Sequence, residues 1–313
     1  MRTAFVNELE KMMKSDENTF LLTGDLGFSI FERIRDSFTK QYINMGVAEQ
    51  NMIGVAAGMA LTGRQVFVYS IIPFLVYRPF EQVRNDICYQ NIPVRLVGVG
   101  AGFTYSDAGF THHAIEDYGI LRSLPNLTIL SPADSLEVTE IMKQIQYITG
   151  PSYMRLGRNG EPVLHDKQKY LKIGKALELS KGEDILFVTT GSILGKAFEI
   201  RQLLESDGYS VTILDYHTTK PFDEKSLLKH LEGKKLVVTF EEHLIDTGIF
   251  SIVSQIITRQ DIRVKVIPVG IEEPLYQTSG SKEFILSQYS IDSKLIFEKI
   301  KKHLDTKIYD TKF

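Results

Sequence analysis

Glu49 stands in Gly46-Val47-Ala48-Glu49-Gln50-Asn51-Met52, at the head of a run of small and apolar residues, Ile53-Gly54-Val55-Ala56-Ala57-Gly58-Met59-Ala60. A carboxylate buried there would favour its neutral form, while the positive end of a helix dipole would oppose that shift. Such a group can give or take a proton. Composition alone favours the plainer reading, an ordinary helix-terminal glutamate. His112 and His113 are adjacent, with Glu116 and Asp117 close behind. Zinc ligands on a helix need one-face spacing, and adjacent histidines point in different directions. One polar catalytic histidine beside one structural neighbour fits better than a metal site. Gly98, Gly100 and Gly102 follow an apparent strand. A dinucleotide-binding loop needs its last glycine to open a helix, and Phe103-Thr104-Tyr105-Ser106-Asp107 is no helix start. No P-loop is present. Cys88, among apolar neighbours, is expected to be buried and inert.

The elements that would position these residues follow from periodicity. Short apolar runs alternate with segments of helical period, the pattern of βαβ units around a parallel sheet. In the first part, strands are expected at Phe20–Leu26, Val66–Tyr69, Val94–Val99, Leu127–Leu130 and Tyr153–Leu156. Helices are expected at Thr3–Met13, Glu49–Leu61, Phe80–Tyr89 and Ser135–Ile148, the last capped by Asp134 or Ser135. From about Asn159 to Glu183 the chain turns polar and loses its period, which reads as a crossover between domains. A second series follows, with strands at Ile185–Thr189, Val211–Leu214, Leu236–Phe240 and Val264–Val269 and helices at Gly195–Glu205 and Gly248–Ile257. The fold class expected is α/β with two doubly wound domains, residues 1–160 and 183–313, joined by a linker over 161–182.

Bulk properties agree with that plan. A chain of 313 residues can bury two cores, and 43% apolar with 24% charged residues is ordinary for a soluble globular protein. The formal net charge of −3 gives no reason to expect nucleic acid or an anionic membrane as partner. Cys88 is the single cysteine, so no disulfide can form within the chain, as in a reducing compartment. Met1–Lys14 lacks the long apolar region of a secretory signal, and no stretch approaches a membrane span. The expected location is cytoplasmic.

Gly46–Ala60 resembles the signature of the pyrimidine-binding domain in transketolases and deoxyxylulose phosphate synthases. The resemblance implies that Glu49 hydrogen-bonds the aminopyrimidine ring of thiamine diphosphate and promotes the tautomer that activates the thiazolium carbon. It extends over nearly the whole chain. Arg2-Thr3-Ala4 matches the opening of that domain, where the arginine reaches a sugar phosphate. Gly24–Ser29 matches an Asp-Leu-x-x-Ser segment, placing Asp25 near the cofactor and Ser29 near phosphate. Phe74 and Tyr77 match aromatics that pack on the aminopyrimidine, although residue type alone equally allows core aromatics. Thr111-His112 matches a pair whose histidine contacts substrate hydroxyl groups, and Arg158 matches a phosphate-binding arginine. Thr190-Gly191-Ser192, Lys220-Pro221-Phe222-Asp223 and Glu241-Glu242-His243 resemble the transketolase C-terminal domain, whose implied role is structural and at the dimer contact.

Three positions depart from the family. Ala108 stands where an aspartate usually reads sugar stereochemistry, Gly100 where a second histidine is usual, and Ile71 where the first pocket phenylalanine is usual. Losing a polar partner for a substrate hydroxyl changes discrimination strongly, which points away from the standard pentose phosphate pair. Arg2, Ser29 and Arg158 still imply an anionic substrate. The sequence holds no Gly-Asp-Gly segment of a diphosphate-binding domain. The resemblance therefore implies a natural split: this chain as the C-terminal subunit, and an N-terminal subunit that holds Mg2+ and the diphosphate in an α2β2 assembly. The implied reaction is transfer of a two-carbon ketol unit from a ketose to an aldose. Alternatives are the beta subunit of a 2-oxoacid dehydrogenase, a deoxyxylulose phosphate synthase relative, and a non-catalytic assembly subunit.

Overall fold

Strands β1 (Thr19–Thr23), β2 (Tyr42–Asn44), β3 (Gln65–Ile71), β4 (Val94–Val99), β5 (Thr128–Leu130) and β6 (Ser152–Leu156) run parallel in the computed structural model. Residues 1–27, 29–158, 160–164, 171–276 and 278–305 are described. Phe28 of the Gly24–Ser29 segment, and Asn159 at the expected start of the crossover, lie outside them. The longer strands are buried along nearly their whole length because both faces are covered. Val66 and Val68 of β3 face one core with Met52, Ile53 and Ala56 of helix Glu49–Leu61. Phe67 and Tyr69 face the other, with Phe5 and Leu9 of helix Arg2–Ser15 and Ile141 of helix Ser135–Ile145.

The second series supplies β7 (Leu177–Ser180), β8 (Ile185–Thr189), β9 (Val211–Asp215), β10 (Thr218–Lys220), β11 (Leu236–Leu244) and β12 (Lys265–Ile271). The first sheet has the order β10-β5-β6-β4-β3-β1-β2 and the second β12-β11-β8-β9-β7. Ile185 and Phe187 enter one core of the second domain, Leu186 and Val188 the other. The chain is thus α/β with two doubly wound domains, as expected. Among the described residues no helix is long and apolar enough to cross a membrane.

Several elements differ from expectation, each for a local reason. The first strand ends at Thr23, short of Leu26, because Asp25 adopts a left-handed φ of 54°. The expected helix Phe80–Tyr89 is a short α-turn, Phe80–Gln82, continued as a π-helix, Val83–Tyr89. The wider turn lets Val83, Ile87 and Cys88 all enter the core. Cys88 is buried as expected, and burial raises its thiol pKa to about 11. β7 falls inside the segment 161–182 read as linker; it pairs antiparallel with β9, and its half-buried alternating residues give little apolar signal. β10 crosses over to pair antiparallel with β5, so the first sheet ends on a strand from the second series.

A buried polar network clamps the segment after β4. Arg155 of β6 donates Nε to Asp117 at 2.8 Å and Nη2 to the carbonyls of Ala114 at 2.6 Å and Glu242 at 3.0 Å. Tyr153 adds a hydrogen bond to Asp117 at 2.6 Å. Gly102 and Ala114 exchange both backbone hydrogen bonds, closing residues 102–114 into a loop. Gly102 is required there: its φ is +58°, and a Cβ would stand 2.1 Å from a carboxylate oxygen of Glu242. Glu241 accepts from Tyr118 and from the amides of Ile249 and Phe250. Burial still raises its pKa to about 7. His243 stacks on Tyr118 with centroids 3.7 Å apart, and burial lowers its pKa to about 4. The Glu241–His243 segment, expected to be structural, therefore buttresses a loop of the first domain.

Asp134 caps helix Ser135–Ile145, accepting from the amides of Leu136 and Glu137 and, with its other oxygen, from Leu164. Asp134→Ala should cost about 1–2 kcal/mol, read as a lower urea midpoint. Asp117→Ala should cost about 3–5 kcal/mol by stranding the buried Arg155 charge, and should lower the melting temperature well beyond the Asp134 variant.

Candidate functional site

The carboxyl edge of the first sheet gathers most of the residues singled out from the sequence. Asp25 follows β1, Glu49 follows β2, Phe74 and Tyr77 follow β3, His112 follows β4 and Arg158 follows β6. In open α/β sheets this edge is where ligands bind. Arg2 reaches it from the start of the first helix, its Nε donating to the Arg158 carbonyl at 3.2 Å.

Glu49 is only 4% exposed, yet it is not enclosed by apolar groups alone. Arg78 donates to its carboxylate at 3.2 Å, a charged partner that the neighbouring sequence does not show. Glu49 and Arg78 line a cleft of about 450 Å³ with Val47, Ala48, Gln50 and Asn51, a volume that suits a small ligand. The Arg78 guanidinium lies 4.5 Å from the centroid of Phe74, within cation–π range. Phe74 meets the His112 ring edge-on at 5.2 Å. His112 is half-buried, and its Nδ1 lies 3.0 Å from the Thr111 hydroxyl. Tyr105 follows, 6.4 Å from His112 between ring centroids, with the Arg158 guanidinium 5.7 Å from its own ring.

Glu49, Arg78, Phe74, His112, Tyr105, Arg158 and Arg2 thus form one connected row. A carboxylate and a flat aromatic face, bridged by Arg78, mark one end, and the guanidinium groups of Arg158 and Arg2 mark the other. The first end can bind a polar heteroaromatic ring; the second suits an anion such as phosphate. His113 turns inward instead, with its Nε2 3.4 Å from the Ser106 carbonyl, and burial lowers its pKa. Among the described residues, no group of three or more His, Cys, Asp or Glu is gathered as metal ligands.

Not every expected residue joins the row. Asp25 exchanges two hydrogen bonds with Asn44, at 2.9 and 3.0 Å, and Asn44 also accepts from the Gly46 amide. Asp25 is thereby tied to the turn that leads into Glu49. The Tyr77 hydroxyl donates to Glu116 at 2.9 Å, and burial raises the Tyr77 pKa. Ser29 sits on an exposed turn with φ of 66° and its amide bonded to Glu32; among the described residues nothing links it to Arg2 or Arg158. Sequence reasoning missed Asn44, Arg78 and Tyr105. Arg78 lies four residues beyond Phe74, a spacing that suggests a shared helix face, although the helix Ile72–Val76 ends before it. For Tyr105 and Asn44 no spacing gives the signal.

The transketolase pyrimidine-binding domain model matches residues 1–161, and the transketolase C-terminal domain model matches residues 174–296. A putative transketolase C-terminal section of Methanocaldococcus jannaschii is 32% identical over 303 residues, covering 96% of this chain and 95% of that protein. An apulose-4-phosphate transketolase subunit from Actinobacillus succinogenes is 31% identical, covering 83% of this chain and 84% of its own length. A solved split-gene transketolase, an inactive β4 tetramer, superposes with a TM-score of 0.88 at 30% identity, covering 97% of both chains. Matched along both domains and over nearly the full length of such relatives, the chain belongs to the transketolase family.

Proposed function

We propose that this chain is the C-terminal subunit of a split, thiamine diphosphate-dependent transketolase, transferring a two-carbon ketol unit from an anionic ketose to an aldose acceptor. The observation that carries this reading is the pairing of buried Glu49 with the Phe74 face through Arg78, which bonds the carboxylate and lies over the ring, with His112 against Phe74. That donor set fits the aminopyrimidine end of the cofactor: one carboxylate for a ring nitrogen and one flat apolar surface for the ring. When bound, the cofactor supplies the nucleophilic carbon and the electron sink for breaking the ketose carbon–carbon bond.

The chain's own residues supply tautomer control, orientation and charge. Glu49 holds or releases a proton at the ring nitrogen, and Phe74 excludes water from one ring face. Arg78 already occupies one oxygen of Glu49 and the face of Phe74, so a ring bound to both must move it aside. His112 presents a half-buried imidazole for substrate hydroxyl groups, while Arg2 and Arg158 offer planar donors to a phosphate. Asp25 stands next to this end through Asn44, and Tyr77 and Ser29 are assigned to the cofactor and substrate surroundings on family resemblance. Magnesium and the diphosphate are assigned to an N-terminal partner subunit in an α2β2 assembly. A relative named as one subunit of a transketolase and a solved split-gene chain that is an inactive β4 tetramer both support a divided enzyme.

Glu49→Gln in the complex purified with its partner should lower kcat by about a hundredfold or more while leaving assembly intact. Measuring ketol transfer from β-hydroxypyruvate to an aldose reads this directly. A fully active Glu49→Gln complex would remove the catalytic assignment.

A further inference from the structure

Tyr105 occupies a position that neither the spacing nor the family signature assigns. Gly100, at the end of β4, has φ of +100°, and a Cβ there would stand 2.6 Å from the Tyr105 ring. The ring therefore fills the volume that a side chain at position 100 would need. It is half-buried, packed against the core that contains Tyr69 and Val99. Its neighbours are functional groups on two sides: the His112 ring at 6.4 Å and the Arg158 guanidinium at 5.7 Å. In the row it stands midway, between the Phe74–His112 contact and the arginines. Position 108, in the same loop, is an exposed alanine, and position 100 carries no side chain.

Tyr105 neighbours both His112 and Arg158, so a ligand that follows the row from Phe74 and His112 to Arg158 passes beside its ring. The middle of that path thus offers an aromatic face where Gly100 and Ala108 offer no hydrogen-bonding side chain. Aromatic faces bind C–H surfaces by dispersion and read shape more than hydroxyl stereochemistry. The same ring supports the guanidinium that would hold the anionic end. We propose that Tyr105 is the specificity-determining residue for the donor: it selects ketoses with an anionic terminus by stacking on their middle carbons and by fixing Arg158. This rests on the transketolase reading above.

The test compares two donors in the complex purified with its partner. β-Hydroxypyruvate delivers the same two-carbon unit without a distal chain; xylulose 5-phosphate carries the chain and the anion, and is followed as donor or as competitor of β-hydroxypyruvate. Tyr105→Ala should weaken xylulose 5-phosphate at least about tenfold more than it weakens β-hydroxypyruvate, mainly through KM or the competition constant. Tyr105→Phe, which keeps the ring, should preserve the wild-type ratio and shows that folding is intact. Equal effects of Tyr105→Ala on both donors, no effect on either, or a wild-type complex that neither uses nor is inhibited by xylulose 5-phosphate would overturn the assignment of Tyr105. A wild-type complex that fails to turn over β-hydroxypyruvate would instead overturn the transketolase reading itself.

Discussion

The buried charge of Arg155 is the constraint on which the site depends. A guanidinium at 3% exposure must find partners for its donors, and it finds them in Asp117, Ala114 and Glu242. Asp117 and Ala114 bracket the end of the loop that carries Tyr105 and His112, while Glu242 belongs to β11 of the second domain. One side chain in the middle of the first sheet therefore fixes the loop and the domain contact together. The close approach of Glu242 to Gly102 leaves that arrangement little freedom to slide.

That constraint gives the second domain a physical role. Its strand end, Glu241–His243, packs against the end of the 102–114 loop through Tyr118, Asp117 and Arg155. The residues of the row lie in the first domain, where loops at the carboxyl ends of its parallel strands converge. The row from Glu49 to Arg2 is long and polar at both ends. On the proposed reading it is a track for a ring at one end and an anion at the other.

Much of this was legible in the sequence. Helix Glu49–Leu61 and strands Val94–Val99 and Ile185–Thr189 have the expected bounds, because their apolar runs are long and their neighbours break cleanly. Glu49 was found through one dense signature and Phe74, His112, Arg158 and Arg2 through separate segments of family resemblance, and these residues then met in one row. The polar or half-buried pieces were not legible. β7 and β10 hold few apolar residues, and each depends on pairing with a distant strand. Arg78 and Tyr105 act through ring faces, and the Arg155 network joins residues 38 to 87 positions apart. Such contacts leave no period in the chain.

On the proposed reading, this chain holds only the pyrimidine end of a cofactor shared with a second subunit. Calorimetric titration of thiamine diphosphate with magnesium, on the chain alone and on the chain mixed with its diphosphate-binding partner, tests it most directly. Binding in the mixture and none to the chain alone is the predicted result. Tight binding to the chain alone would contradict the account, since the diphosphate would then be held by residues assigned here to other work.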